Sequence, residues 1–177
     1  MNKIFIITGL SGSGKTFYLN QLKNDDIENQ DRYINLDELT KYYNKHRYPK
    51  NKFIKYFIHT HSYSNLNPED INWENDKYNI HNEFLSWLTT IDGTFYIEGI
   101  HFIKPYIDTN FIYNSTIVII DKSSIKCLFN RINRCFNNDV SFYNKIYNLF
   151  KYDLSLIHIK EISQFNKFKK QFKTREQ

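Results

Sequence analysis

An apolar run, Lys3-Ile4-Phe5-Ile6-Ile7-Thr8, passes without a spacer into Gly9-Leu10-Ser11-Gly12-Ser13-Gly14-Lys15-Thr16, and a helix-forming stretch from Lys15 to Lys23 follows at once. The octet fits the pattern G-x-x-x-x-G-K-[ST], in the strand-to-helix setting that the pattern requires. Glycines let the backbone curl until successive N–H groups face inward as an anion nest, and the helix behind adds the partial positive charge of its N-terminus. Lys15 is then placed to reach β- and γ-phosphates, and the Thr16 hydroxyl to ligate Mg²⁺. Gly9, Ser11, Gly12, Ser13, Gly14, Lys15 and Thr16 are therefore the expected nucleotide-binding set, with ATP and Mg²⁺ as ligands. A merely flexible glycine turn would leave the full pattern and its flanking strand and helix unexplained.

Beyond the loop, strand-like and helix-like blocks alternate, which predicts an α/β domain with a parallel sheet. Ile4 to Thr8, Arg32 to Leu36, Thr94 to Ile97 and Thr116 to Ile120 read as the four strands. Asp37 can cap the helix after the second strand. Asn67-Pro68-Glu69-Asp70 reads as a helix start, with an Asn cap and Pro at the first helical position. Helix continues through His81-Asn82-Glu83-Phe84-Leu85, Ser123 or Ser124 caps a helix through Phe136, and Asp139 starts another toward Lys151. Leu154 to Ile159 fits a fifth strand or a helix equally. No repeat or linker divides the 177 residues, which suit one domain at roughly 100–200 residues per domain.

The net charge of +5 is unevenly placed: residues 1–150 carry 17 basic and 16 acidic side chains, and residues 151–177 carry 7 and 3. The basic segment from about 160 to 177 is a candidate contact for nucleic acid, although such runs are commonly solvated helix ends. Cys127 and Cys135, eight apart on one helical stretch, are too few and too close to frame a secreted fold, and are read as reduced thiols. With no signal-like leader and no run of about 18 apolar residues, a soluble cytoplasmic protein is expected, without membrane contact.

A strand, a GxxGxGKT loop, a helix, a second strand ending in Asp, a third ending in Glu-Gly and a helix with paired arginines together resemble the small P-loop kinases. That group includes nucleoside and nucleotide kinases, shikimate-type kinases and polynucleotide 5′-kinases. The resemblance covers most of residues 1–136, and its highly specific part is the glycine loop. It implies a three-layer α/β/α P-loop NTPase with a mostly parallel sheet of order 2-3-1-4, with or without a fifth strand, and an ATP-dependent phosphotransferase. By this resemblance Asp37 faces the acceptor hydroxyl, with Glu38 as the nearby alternative and helix capping as a rival or additional role. Glu98 holds the Mg²⁺ shell, with Asp121 as competitor. Lys15, Arg131 and Arg134 stabilise the transferred group, the arginines lying at i and i+3 on one helix face. The stretch between that helix and the next is too short for a large lid.

The resemblance also assigns acceptor binding to the segment from about 40 to 92, which is rich in aromatic and polar side chains. Its aromatic rings can stack a base, Arg47 or Lys50 can hold a phosphate already on the acceptor, and His101 can line the same pocket. Most of these rings must nevertheless be core. His59 and His61 lack further ligands at zinc spacing. A nucleoside, nucleotide or modified base is the first expectation for the acceptor, a DNA or RNA hydroxyl the second, and a regulatory ATP-binding module without acceptor the third. A GTPase-type switch is disfavoured because Ile119-Ile120-Asp121-Lys122 supplies no Asn/Thr-Lys-x-Asp base-reading motif.

Overall fold

Strand β1 (Lys3–Thr8) is built almost wholly of apolar residues because both of its faces are covered. Ile4 and Ile6 point into one hydrophobic cluster and Ile7 into another, the alternation a strand imposes. The computed structural model describes residues 2–45, 47–61, 73–136 and 154–173. Around β1 it places β2 (Tyr33–Asn35), β3 (Thr94–Glu98) and β4 (Thr116–Ile119) in the order β2-β3-β1-β4, every pair parallel. The helices are α1 (Lys15–Asp25), α2 (Asp37–Lys45), α3 (Lys52–Thr60), α4 (Trp73–Thr89), α5 (Thr109–Tyr113), α6 (Ser124–Phe136) and α7 (Leu154–Lys173).

Helix α1 covers one face of the sheet, where Leu19 meets Ile7 and Tyr33. On the same face Phe5, Tyr96 and Tyr33 form a ladder of stacked rings across β1, β3 and β2, with centroids 4.9 and 4.8 Å apart. Tyr33 also donates its hydroxyl to Asp26 at 3.1 Å, which ties β2 to the end of α1. Burial and that carboxylate push the Tyr33 phenol up to about 12. The opposite face carries the larger core, drawn from Leu39 of α2, Ile54 and Phe57 of α3, Phe84 and Leu88 of α4, and Phe165 and Phe168 of α7.

One sequence expectation about helices changes, and one open alternative closes. Asp37 is the first residue of α2 rather than its cap, because the Asn35 side chain accepts the Asp37 N–H at 2.9 Å. Leu154 to Ile159 is helix, so the described residues hold no fifth strand, and the basic segment as far as Lys173 is part of a docked helix. His158, Glu161, Phe165, Phe168 and Phe172 are its buried stripe, at the 3- and 4-residue steps of an amphipathic helix. The second strand is shorter than the expected Arg32 to Leu36. The helix starts expected at Asn67 and Asp139 lie outside the described residues. Among the described residues no helix is long and apolar enough to cross a membrane.

Parallel pairing decides where the site forms. Ile7 and Asn35 both stand level with Glu98 in register, so the carboxyl ends of β1, β2 and β3 open at one edge of the sheet. Gly9, Asp37 and Glu98 follow or close those ends, and a crevice beyond strand carboxyl ends is where open α/β sheets bind ligands.

Candidate functional site

The Gly9–Thr16 stretch leaves β1 as a tight loop and enters α1. Gly14 precedes the helix at φ 102°, a left-handed conformation that costs glycine nothing, and no side chain caps the helix start. Gly12, at φ +88°, is required for a second reason: a Cβ there would stand 2.4 Å from the carbonyl oxygen of Cys127 on α6. Helix α6 thus rests on the loop, and Asn130 seals the contact by donating to the Gly12 carbonyl at 2.8 Å. Lys15 is buried along the loop, its ammonium donating to the carbonyls of Gly9 and Leu10 at 3.1 Å each. Among the described residues, the buried Ser13 hydroxyl has no hydrogen-bond partner.

A cleft of about 240 Å³ opens beside this loop, lined by Ser11, Gly12, Gly14, Lys15, Thr16, Phe17, Asp37, Glu98 and Ile100. Thr16 donates its hydroxyl to Glu98 Oε1 at 2.7 Å, and Glu98 is 1% exposed. Burial pushes the Glu98 carboxyl above its usual range and the charge of Asp37 adds to this, while the Thr16 hydrogen bond, Lys15 and Lys41 oppose it. Asp37 behaves oppositely. Burial acts to raise it, but the hydrogen bond and charge of His101, joined by Lys41 and Lys15, hold it below the ordinary carboxylate range. One cleft therefore contains two carboxyls whose surroundings drive them apart, a pattern that separates acid and base duties in reactive sites.

Comparison with protein-family models, curated proteins and solved structures finds no match. The cleft's own chemistry carries the functional conclusion.

The competing candidates occupy distinct places. Glu38 accepts the backbone N–H groups of Lys50 and Asn51 at 2.7 and 3.0 Å, which anchors the entry to α3 and leaves Asp37 as the carboxylate of α2 in the cleft. Asp121 is held by Lys169 of α7, both carboxylate oxygens at 3.1 Å, while Glu98 is the acid that touches Thr16. Arg131 is not among the cleft's lining residues. It pairs with the buried Glu161 of α7 at 3.0 Å, and Glu161 in turn accepts from Ser11 of the loop at 3.4 Å. Arg134 lies on α6, its side chain outside the described residues. Cys127 is buried as a free thiol, pushed upward by that burial. Ion fit follows from the same geometry: Thr16 and Glu98 offer two oxygens, and no cluster of three His, Cys, Asp or Glu ligands exists among the described residues. That donor set suits Mg²⁺, which ordinarily keeps waters and phosphate oxygens beside one or two carboxylates.

Several participants carried no sequence signal. Glu161 and Asn130 reach the loop from 150 and 118 residues away. Tyr106 joins Asp37's network through His101, whereas Lys41 lies one helical turn after Asp37 on α2, a proximity the i,i+4 spacing does show. A second cleft of about 300 Å³ adjoins α2, lined by Lys41, Arg47, Tyr48 and Lys50 among others. Tyr48 is 77% exposed there, edge-on to Tyr42 at 5.7 Å.

Proposed function

We propose that this chain is an ATP-dependent phosphotransferase of the small P-loop kinase type, moving a γ-phosphoryl group to a hydroxyl or phosphate of a nucleoside, nucleotide or modified base. The observation that carries the reading is the shared cleft: Lys15 and Thr16 from the loop, Glu98 bonded to Thr16, and Asp37 on the same wall. Neither a glycine turn nor a simple binding module needs an ionised Asp two residues beyond a neighbouring strand.

The loop amides and the start of α1 would hold the phosphate chain, and Lys15 would exchange its two loop carbonyls for phosphate oxygens. Thr16 and Glu98 would hold Mg²⁺, which supplies charge neutralisation at the phosphates when bound. Asp37, kept ionised, would accept a hydrogen bond from the acceptor hydroxyl and aim that oxygen at the phosphorus. A lowered carboxylate is a weak base, which fits the loose transition state of phosphoryl transfer, where positioning outweighs early proton removal. Arg131 would reach the transferred group after releasing Glu161, and Arg134 shares its helix. The cations of the second cleft and the ring of Tyr48 support an anionic acceptor that carries a base. The same row of cations favours, as a second reading, a hydroxyl at a DNA or RNA end.

The test is incubation with γ-labelled ATP and Mg²⁺ against nucleosides, nucleotides, small alcohols and 5′-hydroxyl oligonucleotides, with Lys15→Ala as the blank. Label on one acceptor class, absent with Lys15→Ala, is the expected result. Label released as free phosphate with every acceptor would refute the transferase reading.

A further inference from the structure

We propose that His101 is a positioning residue for Asp37, and that Tyr106 fixes the ring state in which it acts. The inference rests on the phosphotransfer reading and adds two residues to it. His101 Nε2 lies 3.1 Å from Asp37 Oδ1 and 3.1 Å from Thr40 Oγ1, and Nδ1 is hydrogen-bonded to the Tyr106 hydroxyl. The ring is buried, 9% exposed, in a short 3₁₀ turn directly after β3. It cannot swing away freely, because the ring of His81 on α4 packs against it, tilted by 34° with centroids 4.5 Å apart. Tyr106 is anchored by the next residue of α4: Asn82 donates to the Tyr106 carbonyl and accepts the Asp108 N–H, each at 2.8 Å.

A neutral imidazole has one N–H and one lone pair, and the partner of one nitrogen sets the role of the other. A Tyr106 hydroxyl donating to Nδ1 leaves the proton on Nε2, facing Asp37. When the ring is protonated, both nitrogens donate and the Tyr106 oxygen accepts. In both states Nε2–H points at Asp37 Oδ1. One carboxylate oxygen is thereby held, and Oδ2, with no hydrogen bond of its own among the described residues, is left for the acceptor hydroxyl. The same bond favours the ionised carboxylate beside Glu98. The charged and titratable groups around this unit are His81 from α4, Tyr106 after β3, Lys41 on α2, and Lys15 and Glu98, which act on Asp37 from the loop and β3.

The experiment follows the full chain by NMR and by phosphoryl transfer, in wild type, His101→Gln, His101→Leu and Tyr106→Phe. Gln keeps an N–H donor without the charge, and Leu removes both. The midpoint of the Asp37 carboxyl, read from its ¹³C shift, is expected lowest in wild type, intermediate in Gln and highest in Leu. Tyr106→Phe is expected to bring the Nδ1–H form of His101 into the ¹⁵N spectrum. In transfer, His101→Leu is expected to lose about 10- to 100-fold in kcat with KM for ATP unchanged, the worth of one hydrogen bond to a charged group. Gln should recover part of that loss, and the acid limb of the kcat/KM profile should move upward in the same order. Level Asp37 midpoints in a wild type that transfers label would overturn this inference alone. The expected midpoint order in a wild type that transfers to no acceptor would overturn the phosphotransfer reading, and the positioning role with it.

Discussion

Asp37 and Glu98 share a cleft, yet charge should matter to them in opposite ways. Asp37→Asn keeps the size of the side chain and removes its charge, so ATP affinity is expected to hold while transfer falls about 10²- to 10⁴-fold, measured by calorimetry and labelled transfer. Glu98 is a buried acid held above its usual range, and its ionised form is the one that burial penalises. Because its folded value is raised, its favourable contribution is complete below about pH 4.3 and is lost as pH rises through the folded value. Asp37 has the reverse sign: its contribution is present above about pH 3.9 and is lost as pH falls through its lowered folded value. Glu98→Gln is therefore expected to raise Tm at neutral pH, by about 2–4 °C if the gain is about 1 kcal/mol, with the difference vanishing in acid. The same variant should lose Mg²⁺-dependent transfer. An unchanged Tm at neutral pH would show that Glu98 carries no burial penalty. The glycine loop was legible in the sequence as a full motif after an apolar strand, and Asp37 and Glu98 through the kinase resemblance, as acids just beyond β2 and at the end of β3. The possible capping role of Asp37 is not the one it plays, since Asn35 and Asp37 are equally good caps by type and only the backbone course shows Asn35 accepting the Asp37 N–H.

Helix α7 shows how a charge count hides an element. The segment reads as a basic tail because Lys167, Lys169 and Lys170 dominate it, but Phe165, Phe168 and Phe172 are at helical spacing and all buried. Periodicity becomes visible only when the stripe is followed from His158 to Phe172, which the undecided Leu154 to Ile159 window is too short to reveal. Phe168→Ala is expected to cost about 3–5 kcal/mol in denaturant unfolding, whereas the exposed Lys167→Ala should stay within about 0.5 kcal/mol. Equal effects would mean that α7 is not docked as described. At α6 the contact with the loop has the same directness. Gly12→Ala would force a Cβ against the Cys127 carbonyl at a left-handed position, so stability should fall by about 1–3 kcal/mol and nucleotide binding should weaken with it. Unfolding in denaturant and calorimetric titration check the two effects separately.

At the scale of the whole molecule, the α/β class and the parallel sheet follow the alternation of strand and helix blocks in the sequence, whereas the β2-β3-β1-β4 order was expected only from the resemblance to small P-loop kinases. That order gathers three strand ends at one edge, and it explains how residues as distant as Thr16 and Glu98 come to touch. The supports of the site were illegible for the complementary reason. Glu161 braces Ser11 and Arg131 from the far end of the chain, and nothing local to Glu161 distinguishes it from other helix-surface acids. The central claim is that this edge hands a phosphoryl group from a nucleotide on the loop to an acceptor beside Asp37. The most direct measurement is a single-turnover quench with γ-labelled ATP, Mg²⁺ and the acceptor found in the panel, following label among ATP, acceptor and free phosphate in wild type and Asp37→Asn. The account predicts label on the acceptor in wild type and label retained in bound ATP in Asp37→Asn. Label appearing as free phosphate at equal rates in both would contradict it, since Asp37 would then face no acceptor at all.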